Sequence, residues 1–380
     1  MSRKGFFRFL FQIFLLFLLL ELGLRALFYQ KMARGSLAIA EAMAIVRQKM
    51  HTTRPTYLYK GYFLARPDSS REVNEDIAKE AFESNRFQYA PWIDFRNADY
   101  NGKYINTNGL VRKTVPDSCF NPQSAGEVSI YFLGGSTMYG DNVTDRETIP
   151  SAFVNLYRAR YAHGKSIRVV NYGICAFHSY DELILLSHLL YSGHKPSMLI
   201  VLDGLNDFVL MNAARDRLPY YYYRLKAAGK EDIGLKELYS TQDSALKFLT
   251  LQDSSATAID SLGNYLIDQY VSNIKNMKSI ALAKGVQPFF FIQPNPFYNY
   301  PDKKNDPICD NSRSELIEKV YPVLERQADS IGNCTFLGNL LKYRKGYPFI
   351  DRYHYSPSMS KEIASGILDV VGKAINTEQP

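Results

Sequence analysis

The chain is poor in the residues that specify metal and redox chemistry. Its 380 residues include four cysteines and six histidines. Cys119, Cys175, Cys309 and Cys334 never fall in a CxxC spacing, which argues against a zinc or thioredoxin-type motif. No His, Cys, Asp or Glu cluster has metal-ligand spacing, so neither a metal nor a cofactor is expected. There is one tryptophan, against 28 tyrosines and 23 phenylalanines. A compact Lys/Arg block is also missing. The formal charge of +7 is spread along the chain, which leaves no nucleic-acid footprint and no nucleic-acid partner is expected. Such a surface suits an anionic membrane or an acidic glycan equally well. With 46% hydrophobic and 22% charged residues, the composition is that of a packed globule rather than a disordered chain.

One long apolar run is present, at the start. Arg3, Lys4 and Arg8 precede an uncharged stretch from Phe9 to Leu20. Extended to Phe28 it reaches about 20 residues, the length that spans a bilayer. The extension includes Glu21 and Arg25, which are spaced to pair on one helix face. Leu22 to Ala26 offers no small-residue cleavage site, so residues 1–30 read as an uncleaved signal anchor. A cleaved signal peptide and a buried helix are the rival readings. With an anchor, a single-pass topology places the long C-terminal part outside the cytoplasm, periplasmic or extracellular. Residues 31–55 read as a helical stalk, with no Gly or Pro from Leu37 to Met50.

Residues 56–127 are rich in Tyr, Asn and Pro and read as an irregular extension packed on the core. From residue 128 the pattern alternates. Apolar runs at Val128–Leu133, Ile167–Asn171, Met198–Leu202 and Val286–Ile292 read as strands, with Thr335–Leu337 as a fifth. Helical stretches at Thr148–Ala162, Tyr180–Ser192, Asn264–Lys284, Arg313–Ser330 and Ser358–Asn376 separate or follow them. This alternation predicts an α/β fold, a three-layer α/β/α sandwich with a mostly parallel five-stranded sheet over residues 128–376. The segment 208–263, which carries Tyr220 to Tyr223, is long for a connection. It reads as a substrate-covering lid or as a neutral surface insertion.

The polar residues fall at strand ends. Ser136 follows the first strand in Gly134-Gly135-Ser136-Thr137. Asn206 follows the third in Gly204-Leu205-Asn206-Asp207. Asp351 and His354 follow the fifth. In a parallel sheet these all leave one edge, where ligands bind. A serine hydroxyl needs a base to take its proton, and His354 with Asp351 behind it supplies one. The oxyanion of acyl transfer needs fixed donors, for which Asn206 and a backbone N–H after the second strand are candidates.

On these blocks the chain resembles the SGNH/GDSL hydrolase superfamily over about residues 128–375, a membrane-anchored bacterial-type member. Gly134–Gly140 matches the nucleophile block, with Gly135 where the name-giving Asp often stands. The resemblance implies a flavodoxin-like sheet, Ser136, His354 and Asp351 as catalytic residues, and Asn206 as an oxyanion donor. In the second block, Val169 to Ala176, the family's oxyanion glycine falls on Ala176, with Gly173 as the alternative. A left-handed Ala176 would be strained. The piece from Ile105 to Arg112 resembles an element that precedes the nucleophile in membrane-linked relatives, and Gln293-Pro294 resembles the same subgroup. Family members act on acyl esters of lipids, thioesters and acetylated sugars.

Three functions therefore compete. The first is an esterase that removes short acyl or acetyl groups from a glycan or lipid. The second is an O-acyltransferase on cell-surface polysaccharide using the same site. The third is a non-catalytic glycan-binding relative. His178 is placed near the substrate or in a structural role, while His163, His188 and His194 read as solvent-facing. Asp141 and Asp207 read as turn or cap residues, or as supports behind the site residues. The helix between Cys309 and Cys334 spans about 27 Å at 1.5 Å per residue, too far for a disulfide. If disulfides form, the pairs expected are Cys175–Cys309 and Cys119–Cys334.

Overall fold

The computed structural model describes residues 56–90, 92–116, 126–209, 256–306, 308 and 314–377. The anchor and stalk segments, most of the 208–263 insertion, Cys119 and Cys309 lie outside them. Among the described residues no helix is long and apolar enough to cross a membrane.

Five strands form the parallel heart of the sheet. They are β6 (Val128–Gly134), β7 (Ile167–Gly173), β8 (Met198–Asp203), β9 (Gln287–Ile292) and β10 (Cys334–Phe336). Their spatial order is β10-β9-β8-β6-β7. Chain direction across the sheet thus reverses its progression between β6 and β8, and such a switch point opens a crevice at the carboxyl ends of the strands.

The strands alternate faces with period two. Tyr131 and Leu133 of β6, Leu199 and Val201 of β8, and Phe290 and Ile292 of β9 enter one core. Ile130 and Phe132, Ile200 and Leu202, and Phe289 and Phe291 enter the other. The first face is covered by α5 (Ser179–Tyr191), α7 (Ala256–Ala283) and α8 (Glu315–Ile331). The second is covered by α4 (Ile149–Arg160) and α9 (Pro357–Thr377). Helix starts follow their caps: Thr148 accepts from Ser151 N ahead of α4, and Ser314 accepts from Ile317 N ahead of α8.

The sheet is larger than the expected five strands, and mixed. Residues 56–116 supply two helices, α1 (Thr56–Ala65) and α2 (Arg71–Ser84), and five short strands. Strands β1 (Phe87–Ala90) and β2 (Asp94–Asn97) form a separate hairpin. Strands β3 (Tyr100–Asn101), β4 (Asn106–Asn108) and β5 (Val111–Arg112) continue the main sheet antiparallel beyond β7, giving eight strands in all. These strands are two or three residues long and mostly polar, so they lack the apolar alternation by which a strand is read from sequence.

The piece from Ile105 to Arg112 has a clear task. Asn106 N and Nδ2 donate to the two carboxylate oxygens of Asp145 at 3.0 and 2.7 Å. Arg112, fully buried, pairs with Asp145 at 3.1 Å and donates to Val143 O at 3.0 Å. Its guanidinium lies over the Tyr139 ring. The segment just after the Ser136 turn is thereby clamped to the antiparallel extension. Breaking one half of a buried pair leaves the other charge uncompensated, which costs about 3–5 kcal/mol. Arg112→Met should lower unfolding stability by that order in urea titrations; an unchanged midpoint would show the clamp to be dispensable.

Of the cysteines, Cys334 is a buried free thiol whose burial pushes its pKa up to about 12, and its expected partner Cys119 lies outside the described residues. Cys175 is buried at the end of β7, and its proposed partner Cys309 lies outside the described residues.

Candidate active site

Each expected site residue sits at the carboxyl edge of a parallel strand. Ser136 opens a single helical turn, α3 (Ser136–Tyr139), directly after β6. Asn206 opens the short helix α6 (Asn206–Val209) three residues after β8. Asp351 and His354 lie in a loop closed by a bridge between Phe349 and Tyr355. Ile350 N donates to His354 O at 2.8 Å, which holds that loop in a tight hairpin-like turn.

The loop is shaped by Asp351 itself. Its Oδ1 accepts from the backbone N–H groups of Tyr353 and His354, both at 2.8 Å. This aspartate turn leaves Oδ2 free to meet His354 Nδ1 at 2.6 Å. A carboxylate only accepts, so Nδ1 carries the proton. The neutral ring then presents Nε2 as an acceptor, and Ser136 Oγ lies 2.9 Å from it. Ser136, His354 and Asp351 form one continuous hydrogen-bonded chain.

The electrostatics favour a charged histidine. Burial opposes the imidazolium, but Asp351 and Asp141 outweigh it and hold the His354 pKa at about 9. Asp141 Oδ2 stands 3.6 Å from Nε2, on the serine side of the ring. Burial favours protonation of Asp351, yet His354 and the two backbone N–H groups hold it below its ordinary value. Asp141 goes the other way, raised by burial and by Asp351 against the pull of His354.

The oxyanion candidates separate. Gly173 N–H donates to Asn171 Oδ1 at 2.9 Å and is thereby engaged. Ala176 is buried with φ of +66°, the left-handed backbone foreseen as strained at this position. No group among the described residues accepts its N–H. Asn206 Nδ2 spends one hydrogen on Phe177 O at 2.7 Å, which fixes the amide and leaves its second hydrogen for a ligand. The departure at Gly135 also finds a reason: a Cβ there would lie 2.6 Å from Asn206 Nδ2. A small depression in front of these groups is lined by Gly135, Ser136, Phe177, Asp203, Asn206 and Gln293.

Other polar residues serve as supports. His178 is buried, binds Asp181 at 2.6 Å and caps α5. His163 is exposed, but His194 is half-buried with Nδ1 3.0 Å from Tyr131 OH, because the aromatic edge of the sheet covers it. Asp207 accepts from Ser179 Oγ at 2.5 Å. Beneath it, Tyr270 OH donates to Asp203, whose pKa burial and Asp207 push to about 7. Glu182 beside it is raised further by burial and Asp203. Among the described residues no His/Cys/Asp/Glu group has a geometry that holds a metal.

Three residues at the site were not singled out in the sequence. Thr137 Oγ1 donates to Gln293 Oε1 at 2.8 Å, tying the Ser136 turn to the end of β9. Asn142 Nδ2 donates to Asp351 Oδ2 at 2.7 Å, and Tyr62 OH donates to Asn142 Oδ1 at 2.7 Å. The amino-acid order gives no signal for such contacts, which span up to 209 residues.

Two outcomes follow from this geometry. Ala176→Gly keeps the N–H and removes the Cβ penalty of a left-handed residue, so it should raise stability by about 1 kcal/mol. A lower melting temperature for that variant would contradict the backbone reading. By NMR titration His354 should lose its proton near pH 9, and Asp141→Asn should lower that value. Because the folded value exceeds the 6.5 of a free histidine, the charge stabilises the fold fully below about pH 6.5 and the gain is lost as pH rises to about 9. A His354 titration at or below 6.5 would refute this balance of charges.

No family model matches the chain, and no curated protein matches it. Solved structures do. TesA is 17% identical with a TM-score of 0.38, covering 65% of this chain and 99% of its own. A catalytic mutant of Axe2, an acetylxylan esterase from Geobacillus stearothermophilus, is 17% identical with a TM-score of 0.36, covering 66% of this chain and 97% of its own. A protein from Desulfitobacterium hafniense described as lipolytic and of the G-D-S-L family is 13% identical with a TM-score of 0.38, covering 64% and 99%.

Proposed function

We propose that the chain is a serine-dependent ester hydrolase of the SGNH/GDSL type, acting on a short-chain acyl or acetyl ester of a glycan or lipid. The observation that carries this reading is the unbroken chain from Asp351 through His354 to Ser136, with contacts of 2.6 and 2.9 Å, set in the switch-point crevice.

Neutral His354 takes the Ser136 proton at Nε2 as Oγ attacks the ester carbonyl. Asp351 holds the ring and stabilises the imidazolium that forms. Charge builds on the carbonyl oxygen, which the second Asn206 Nδ2 hydrogen, the Ala176 N–H and the Ser136 N–H stabilise. The imidazolium then protonates the departing alkoxide, leaving an acyl group on Ser136. Water, deprotonated by His354, attacks the acyl carbonyl and frees the acid and the serine.

The raised His354 pKa sets the operating window. At neutral pH most of the enzyme carries a protonated histidine, and only the neutral fraction can act as base. The apolar run Phe9–Leu20 supports placing this work at a membrane face; basic residues flank it on both sides, and the outward side for the catalytic domain follows from reading the run as an export signal.

The test uses the full-length chain and p-nitrophenyl acetate. Ser136→Ala should lose at least about 1000-fold in kcat/KM, as expected when a triad member is removed. For the wild type, kcat/KM should rise with pH and level off above about 9. Ser136→Ala retaining wild-type turnover would overturn the nucleophile assignment.

A further inference from the structure

The catalytic aspartate has a second partner besides the histidine. Asn142 Nδ2 reaches Asp351 Oδ2, the oxygen that also binds His354, at 2.7 Å. The amide orientation is forced. Asp351 can only accept, so the nitrogen faces it, and Asn142 Oδ1 in turn accepts from Tyr62 OH at 2.7 Å. Asn142 itself sits at φ +67°, a left-handed conformation in a non-glycine residue. Such strain persists where the surroundings over-determine it.

The surroundings do so here. Tyr62 belongs to α1, and it is almost wholly buried. The next residue toward the N-terminus, Gly61, lies so close to the Asp351 loop that a Cβ would fall 1.6 Å from Ile350 O. Helix α1 is therefore seated on the backbone carbonyl next to the catalytic acid. Arg66, just past the end of α1, donates through Nε to Glu147 Oε1 at 2.8 Å and through Nη2 to Asn142 O at 3.4 Å. The downstream side is fixed by the Asp145 clamp already described. The groups facing Asn142 and Asp351 are thus Tyr62, Arg66, Asp141, Glu147 and His354.

We infer that Asn142, held by Tyr62, is a positioning residue for Asp351, so that helix α1 belongs to the catalytic unit rather than to a dispensable extension. The amide keeps Oδ2 directed at His354 Nδ1 and shares its negative charge. The inference rests on Ser136, His354 and Asp351 being the catalytic residues. An alternative role for Asn142 is purely conformational, a residue tolerated where the turn needs positive φ. The two roles part at glycine, which accepts φ +67° without strain but carries no amide.

The experiment measures phosphonylation of the full-length chain by a fluorophosphonate between about pH 6 and about pH 10, alongside melting temperature. The variants are Ser136→Ala, Asn142→Gly and Tyr62→Phe. Loss of a hydrogen bond to a charged group predicts a fall of about 10- to 100-fold in the plateau rate for Asn142→Gly. With less of its charge shared, Asp351 should hold the imidazolium more strongly, so the pH limb should also move upward. Tyr62→Phe should shift both quantities the same way by a smaller factor. Neither change is expected of a residue that serves only the turn. If Asn142→Gly labels within about two-fold of wild type with an unmoved limb, the inference fails while the nucleophile reading stands. An unlabelled wild type, or a labelled Ser136→Ala, overturns both. Should Asn142→Gly fail to fold, Tyr62→Phe decides by the same criteria.

Discussion

A 2.9 Å hydrogen bond joins Ser136 Oγ to His354 Nε2, side chains 218 residues apart in the chain. The features of the fold that position it converge there. The strand order β10-β9-β8-β6-β7 opens the crevice beside β6. The turn after β6 lifts the serine into it, and the Phe349–Tyr355 bridge returns the histidine over it. Two apolar cores, one on each face, make the sheet rigid enough to keep that distance. The site is a place where several strand ends meet, and no single element builds it.

Charge is arranged around this bond in two layers. Asp351 and Asp141 flank the imidazole on its two nitrogen sides and keep it protonated to about pH 9. Behind Asn206 lies a second set, Glu182, Asp203 and Asp207, which burial keeps more readily protonated than ordinary acids. The first set faces His354 and Ser136. The second braces the end of β8 through Tyr270 and Ser179, and so holds the Asn206 side of the crevice.

Much of this is legible in the amino-acid order because the parallel strands are apolar runs and Ser136 and Asn206 closely follow two of them. Ser136 directly follows β6 and Asn206 comes three residues after β8, while Asp351 and His354 lie 15 and 18 residues beyond β10 and are marked only by their own D-x-x-H spacing. The antiparallel strands β3 to β5 escaped because two or three polar residues carry no periodicity, and their stability comes from Arg112 and Asp145 across the fold. Asn142 and Tyr62 escaped for a related reason. Nothing local distinguishes an asparagine after an aspartate from a turn residue, and its side-chain partners Asp351 and Tyr62 stand 209 and 80 residues away in the chain. Position 176 was the intermediate case. The missing glycine was visible, but whether the backbone still turns left-handed was a matter for the structure.

The proposed reaction turns on acylation of Ser136. The most direct measurement is mass spectrometry of the full-length chain, acid-quenched during turnover of a p-nitrophenyl ester and then digested. The expected result is one added acyl group, carried on the peptide that contains Ser136 and absent from Ser136→Ala. An acyl group on another residue, or ester turnover with no acylated chain in the quenched steady state and none after rapid quenching, would contradict it.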